Sequence, residues 1–394
     1  MTTVDFSNTQ NAFEAKSDAE LRRMYWLFSL MNKAWLVNVG SKLGLAALRL
    51  RLPLVKPAMK ATIFEQFCGG TTLLDCQDNI DRLYRYDTLT ILDYGAEAKN
   101  SEQDFNKTMN ETIRAIDFAA TNESVPVVST KVTGMARFSL LEKLQTAAPD
   151  DLTGTERTEY RNVVKRLESI CHRAQETGVG VFFDAEESWI QNPIDDLVMQ
   201  MMQQFNTTKA VAYNTYQLYR HDRLEALKKD HRRALDEGFM LGAKLVRGAY
   251  MDKERERALA HGYPSPIQPD KASTDRDFND AVRYCLDHYD TIASCNASHN
   301  QQSCELQIEL MDEYDVPRNH PHVNFCQLYG MSDHLTFNLA QAGYNVAKYL
   351  PYGSLEDVVP YLIRRAQENS SVTGDMSREL SLITKEMKRR GLLD

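Results

Sequence analysis

No two of the seven cysteines (Cys68, Cys76, Cys171, Cys285, Cys295, Cys304 and Cys326) form a C-x-x-C pair, and their number is odd. The pattern suggests neither a disulfide framework nor a zinc site, and a reducing compartment fits it best. A basic excess is also missing. The net charge of −9 argues against a nucleic-acid surface. Long apolar runs are absent as well: residues 24–47 are broken by Asn32, Lys33, Asn38 and Lys42, whereas a membrane-spanning helix needs ~20 nearly uninterrupted apolar residues. Asp5, Glu14, Asp18 and Glu20 precede any apolar run, against both a secretory signal and an acid-poor transit peptide. Finally, no strand leads into G-x-G-x-x-G and no G-x-x-x-x-G-K-[ST] loop occurs. A dinucleotide, if bound, is held another way.

What is present is an ordinary globular composition, 43% hydrophobic and 26% charged, with a change of pattern near residue 86. Residues 1–85 read as an N-terminal helical arm. Asp18 is placed to cap a helix whose apolar positions are Leu21, Tyr25, Phe28 and Met31. A second helix carries Leu43, Leu45, Ala46, Leu48 and Leu50 and stops at Pro53, where a helical hydrogen bond would be lost. Arg49, Arg51, Lys56 and Lys60 among apolar residues suit packing on the main domain or contact with a membrane surface. Packing is the default, since surface helices bury one face.

Residues 86–394 alternate short β-rich runs with polar helical windows. The strand candidates are 89–94, 125–131, 178–184, 210–215, 243–249, 291–297, 323–328 and 344–350; the helical windows are 104–120, 161–175, 194–205, 220–237, 276–288, 302–314, 334–342 and 354–369. Such alternation implies parallel pairing, because a crossover helix returns the chain to begin the next strand. Eight units close most economically into a distorted (β/α)8 TIM-like barrel. An open doubly wound sheet is the alternative.

In a barrel the active site lies at the C-terminal strand ends, and these ends are polar. The second ends at Lys131, the third at Asp184-Ala185-Glu186-Glu187, and the fourth leads to Tyr216-Gln217. The fifth carries Lys244, Leu245, Arg247, Gly248, Ala249 and Tyr250; the sixth reaches Ser298-His299-Asn300; the seventh reaches Leu328-Tyr329; the eighth carries Tyr349 and Tyr352. A buried cation is costly unless paired, so Lys131, Lys244 and Arg247 point to an anionic ligand or a carboxylate such as Asp184. Each residue has a plainer reading. Lys131 suits a strand-end surface lysine, Asp184 a helix cap, and His299 a satisfied core histidine. Strict alternation puts Lys244 and Arg247 on opposite faces, so one lies past the regular strand or contacts something outside the bore. His320 and His322 lack acidic or cysteine partners at metal-ligand spacing, so no metal is expected.

The last helical window has two stripes. Leu355, Val358, Val359, Leu362 and Ala366 form an apolar face, while Tyr361, Arg364, Arg365 and Glu368 share a second. The second face could hold a small anion or be a solvated face with Arg364 paired to Glu368.

Taken together, the strings KLVRGAY, DAEE, TYQ, SHN, QLYGM, KYLPYG and YLIRRAQEN resemble the proline dehydrogenase family, in the family's order, over roughly residues 85–394. The resemblance implies FAD bound without a Rossmann fold and a final helix over the barrel mouth. It implies that Arg364 and Arg365, with Lys131, hold the carboxylate of L-proline, by charge-assisted contacts that suit a planar guanidinium. Tyr250, Leu245, Leu328, Tyr349 and Tyr361 match positions that wall the pyrrolidine ring. Asp184, Gln217, Lys244, Arg247, Gly248, Ala249, Ser298, His299, Asn300 and Glu368 match flavin-contact positions. The implied reaction is hydride transfer from the ring carbon beside nitrogen to FAD, giving 1-pyrroline-5-carboxylate, with electrons passing to a membrane quinone. It also implies a cytoplasmic protein peripherally associated with the inner face of the membrane, and a separate pyrroline-5-carboxylate dehydrogenase for the next step. Many members have arginine where this chain has Lys244, and residues 262–269 vary across the family. Hydroxyproline dehydrogenase is the rival within the class, against which Tyr349 speaks because an aromatic ring crowds a ring hydroxyl. A Schiff-base aldolase using Lys131 or Lys244 is the rival outside it.

Overall fold

The computed structural model describes residues 4–33, 40, 50, 55–95, 99–371 and 375–393; for 366–371 and 375–377 it describes the backbone alone. Eight strands form a closed barrel in sequence order: β1 (Leu89–Tyr94), β2 (Val127–Thr130), β3 (Gly180–Phe183), β4 (Ala212–Gln217), β5 (Leu241–Val246), β6 (Ile292–Ala297), β7 (Val323–Leu328) and β8 (Val346–Tyr352). The ladders from β1 through β7 are parallel. The open-sheet alternative is thereby excluded.

Several boundaries move for physical reasons. Gly178, expected in β3, instead ends the helix Gly154–Thr177 in the left-handed region at φ 78°, a role glycine fills without a Cβ penalty. β4 runs two residues further than expected, to Gln217, and β5 begins at Leu241 and stops at Val246. Arg247 therefore lies past the regular strand. Three helices were not expected: Phe138–Leu144, Met251–His261 and Asp375–Arg389. The first arm helix, Asp18–Met31, is capped by Ser17 and not by Asp18. The Ser17 hydroxyl accepts from the Glu20 amide while Glu20 accepts from the Ser17 amide. The second arm helix expected around Leu43, Leu45, Ala46 and Leu48 falls outside the described residues.

The chain divides into two compact units, Met1–Thr90 with Gln327–Asp394, and Ile91–Cys326. In the first, the helix Asp375–Arg389 packs against Asp18–Met31. Its core includes Phe13, Leu21, Phe28, Phe67, Val358, Leu362 and Ile383, large side chains worth about 1.5–3 kcal/mol each when fully buried. Arg390 donates to the carbonyls of Phe13 and Lys16, each at 2.8 Å, and Asn11 donates to the Phe337 carbonyl at 2.9 Å. Gln66 Nε2 donates to the carbonyl of Gly330 at 2.8 Å. Gly330 has φ 79°, and a Cβ there would stand 2.0 Å from the Gln66 carbonyl oxygen, so the QLYG turn accepts only glycine.

In the second unit the register sorts strand residues into two faces. Phe182 and Tyr213 share one level and Thr215, Lys244 and Cys295 the next, all facing the bore, while Tyr216, Leu245 and Asn296 share the other face. Hydrogen bonds to the outer helices fix the assignment. The Tyr216 hydroxyl donates to Asp230 of the helix Arg223–Glu237, and Asn296 donates to the Ser303 carbonyl in the helix Gln301–Glu313.

Candidate functional site

At the C-terminal end of the bore, Asp184 accepts two hydrogen bonds and faces a second ammonium. Lys244 Nζ lies 2.6 Å from Oδ1, the Ser129 hydroxyl donates to the same oxygen at 2.9 Å, and Lys131 Nζ stands 3.8 Å from Oδ2. Lys244 is 5% exposed, so its charge is tolerable only because a carboxylate faces it. Its ammonium also lies 5.4 Å from the centroid of the Phe182 ring, within cation–π range. Two ammonium groups, the Asp184 carboxylate and the buried Asp93, level with Ser129 on β1, make this end of the bore a cluster of charged side chains. Asp184 is therefore not the cap of the following helix. Ser188–Phe205 begins at Glu187, which makes no side-chain cap, and its first residue, Ser188, donates from both amide and hydroxyl to the buried Glu254.

Gln217, the last residue of β4, is buried and donates to the Glu186 carbonyl at 2.7 Å. Arg247 takes the outward route that alternation left open. Its guanidinium lies 4.3 Å from the Phe278 ring centroid and donates to Asp275 at 2.8 Å, Ser298 at 2.6 Å and Ser303 at 3.0 Å. The Ser298 hydroxyl in turn accepts from the Asn300 amide at 3.0 Å, and Asn300 caps the helix Gln301–Glu313 through the Ser303 amide. Lys244, Arg247, Ser298 and Asn300 thus belong to two networks, one in the bore and one on its outer rim. His299 is half-buried beside them.

Gly248 is exposed, with φ 139°, and a Cβ there would meet the Tyr219 ring at 2.5 Å. Only glycine fits against that ring with this φ. Ala249 and Tyr250 follow, both half-buried. Leu245 is 1% exposed and shares the outward face with Tyr216 and Asn296, away from the bore.

In the unit that contains residues 327–394, Leu328 is half-buried, and the Tyr329 amide donates to the Tyr349 carbonyl at 2.9 Å. Tyr349 is buried at 5% exposure, and its neighbour Lys348 points the opposite way, into an ion pair with Asp333 at 2.8 Å. In the helix Leu355–Ser371 the apolar stripe Leu355, Val358, Val359 and Leu362 is buried. So is Tyr361, whose ring centroid lies 5.3 Å from the Arg365 guanidinium; Arg364 and Arg365 are half-buried. The side chains of Ala366 and Glu368 lie outside the described residues.

Sequence reasoning missed Ser129, Thr133, Asp275 and Ser303. Asp275 and Ser303 sit on other elements and are brought to Arg247 by helix packing. Ser129 and Thr133 stand two residues to either side of Lys131, where local counting could have found them.

The fold is a closed parallel (β/α)8 barrel with charged side chains gathered at the C-terminal end of its bore. A family model described as proline dehydrogenase matches residues 76–378. Similar curated proteins include a hydroxyproline dehydrogenase of Xenopus laevis, 32% identical over 96% of this chain and 88% of its own length. Another is the mitochondrial proline dehydrogenase 1 of Dictyostelium discoideum, 31% identical over 97% of this chain and 74% of its own. The human mitochondrial proline dehydrogenase 1 is 38% identical over 60% of this chain and 40% of its own. Among solved structures, proline utilization A (PutA) from Bdellovibrio bacteriovorus, inactivated by N-propargylglycine, matches with a TM-score of 0.76 and 21% identity, over 98% of this chain. The chain spans less than half of that PutA, 43% of its length. The chain belongs to the proline dehydrogenase family, a family of oxidoreductases.

Proposed function

We propose that the protein oxidises L-proline to 1-pyrroline-5-carboxylate with FAD as its cofactor, the carboxylate of the substrate being held by Lys131, Arg364 and Arg365. The observation that carries this reading is the Asp184 cluster, two lysines about one carboxylate at the C-terminal end of the bore. Tyr250, Leu328, Tyr349 and Tyr361 wall the pyrrolidine ring in this reading; Leu245, on the outward face, is left out of it. In the same reading residues 86–394 form the catalytic barrel and residues 1–85 an accessory arm.

The residues present suit FAD. Gln217, Lys244, Arg247, Ser298, His299 and Asn300 offer donors for its polar edges and phosphates. Bound FAD would accept a hydride from the ring carbon beside the substrate nitrogen. The protein's part is positional and electrostatic. Lys131 and the two arginines fix the carboxylate, and through it the face of the ring that is presented. Aromatic walls exclude water, so that charge forming at the ring nitrogen is not levelled by solvent. Oxidation leaves a positive iminium, which forms only if that nitrogen is unprotonated beforehand.

Electrons would then pass to a membrane quinone during a peripheral visit to the bilayer's inner face, and the product to a separate dehydrogenase. Among the described residues no helix is long and apolar enough to cross a membrane. The name of the Xenopus relative raises hydroxyproline as a second substrate; the Tyr349 ring, buried within β8, favours the unsubstituted ring.

A visible spectrum of the purified protein tests the reading. Flavin bands bleached by L-proline support it. A colourless preparation that takes up no FAD, or one trapped covalently by borohydride with substrate as a Schiff-base enzyme would be, overturns it.

A further inference from the structure

One buried acid in the second unit is not used by the chemistry above. Glu186 is 3% exposed, and burial raises its carboxyl to about 7. Its Oε1 accepts from the Thr133 amide at 3.0 Å, and its other oxygen accepts from the Thr133 hydroxyl. Its own amide donates to Gln191 Oε1 at 2.7 Å, and its carbonyl accepts from Gln217 at 2.7 Å. A buried acid with this many ties is a joint. What it joins is specific.

Thr133 lies in the short turn Val132–Gly134, which follows Lys131 directly. The Lys131 carbonyl closes that turn by accepting from the Gly134 amide at 3.1 Å. Fixing Thr133 therefore fixes the backbone from which the Lys131 side chain springs. The same glutamate is anchored from behind. Gln191 donates to Asp195 at 2.8 Å, and Asp195 accepts from Asn214 at 2.9 Å and pairs with Arg223 at 2.8 Å. The chain of hydrogen bonds runs from the outer helix Ser188–Phe205 through Glu186 to the turn after β2.

We propose that Glu186 is a positioning residue for substrate binding: it locks the Val132–Gly134 turn so that the Lys131 ammonium is held at the Asp184 end of the bore, ready for a carboxylate. The proposal rests on the assignment of Lys131 to the carboxylate clamp. A lysine side chain has many rotamers, and one on a loose turn would have to be ordered by each substrate molecule. Pre-ordering removes that cost from binding. The effect falls mainly on KM, because in this reading the two arginines still hold the carboxylate and set the face of the ring that is presented.

The test is a double-mutant cycle on proline kinetics in the FAD-loaded protein. Glu186→Ala should raise KM for L-proline by about tenfold, the size of one lost interaction worth ~1.4 kcal/mol, with kcat nearly unchanged. Glu186→Gln, which keeps an acceptor for the Thr133 amide and the same shape, should restore KM toward wild type. In a Lys131→Ala background, Glu186→Ala should add no further loss, because there is no ammonium left to position. Thr133→Val, which removes only the hydroxyl, should reproduce part of the KM effect and keeps the test open if Glu186→Ala fails to fold. Equal, additive losses in the presence and absence of Lys131 would overturn the proposal, as would a fall in kcat with KM unchanged. A wild-type protein that L-proline does not reduce would instead overturn the functional reading, and this inference with it.

Discussion

Lys348 and Asp333 form an ion pair at 2.8 Å with side chains only 1% and 3% exposed. Burial opposes both charges. In Asp333, Lys348 and Lys16 outweigh that penalty and hold its pKa below the ordinary value; in Lys348 burial prevails and lowers it. The lysine also approaches the carbonyls of Leu328 and Met331, so the pair ties the end of β7 to β8 while Tyr349 faces the other way.

Removing one partner of that pair leaves the other charged and buried. Lys348→Met or Asp333→Leu alone should destabilise the protein by about 3–5 kcal/mol. The double variant should recover most of the loss, since an apolar pair of similar volume needs no compensation. Denaturant unfolding of the three variants checks this. Losses that simply add would show that the two residues act separately.

Glu379 and His334 beside this pair give opposite pH dependences. Burial lifts the Glu379 carboxyl from 4.5 to about 7, so the native state holds that proton more tightly than the unfolded chain. Its contribution is complete below pH 4.5 and lost as pH rises through 7, at most about 3 kcal/mol. Burial lowers His334 from 6.5 to about 4, and its contribution is lost as pH falls through that range. Glu379→Gln keeps an acceptor for the Ser332 amide, now 2.8 Å from the carboxylate. It should raise stability at pH 8 and leave it nearly unchanged at pH 4.5. Unfolding curves at the two values decide it; an equal change at both is the contrary result.

Arg365→Met should raise KM for L-proline sharply, because losing one member of a charged contact whose partner stays buried costs ~2–5 kcal/mol. Steady-state kinetics and the affinity of carboxylate analogues measure the effect. Unchanged kinetics would remove Arg365 from the clamp.

Tyr349→Ser should open the ring pocket and shift preference toward hydroxyproline. The ratio of kcat/KM for the two substrates is the readout, with an increase of about tenfold or more, corresponding to ~1–3 kcal/mol of relieved crowding. No change in the ratio would place the specificity elsewhere.

Gly248→Ala forces a Cβ against the Tyr219 ring and a positive φ on a residue that resists it. A loss of about 1–3 kcal/mol is expected, together with weaker retention of FAD. Unfolding and flavin content are the two measurements.

The barrel was legible because its signal repeats. β1 and β7 fall on the expected windows 89–94 and 323–328, where β-branched and aromatic residues meet clear turn signals. The helix Met251–His261 was not legible. Much of what holds it lies far off in sequence: Glu254 receives the Ser188 amide and hydroxyl, and Lys253 and Arg257 lie over the Trp189 ring. The same holds at the site. Lys131, Asp184 and Lys244 could be picked out as charges among apolar residues, but their grouping depends on which residues share a level of the barrel. Asp275 reaches Arg247 from a helix whose sequence reads as a solvated surface. Local pattern reports periodicity and charge; it does not report register.

The unit that joins Met1–Thr90 to Gln327–Asp394 has a consequence for synthesis. Arg390 and Asn11, with their partners at the opposite end of the sequence, can make their hydrogen bonds only after the ribosome has passed residue 327. Residues 91–326 can begin to fold while the first ninety wait, with apolar side chains such as Phe13, Phe28 and Phe67 lacking their final cover. Helices with exposed apolar faces are the species that chaperones bind and that aggregate when they are not bound. The pace of translation over residues 327–394 therefore sets how long those faces stand open to the wrong partner.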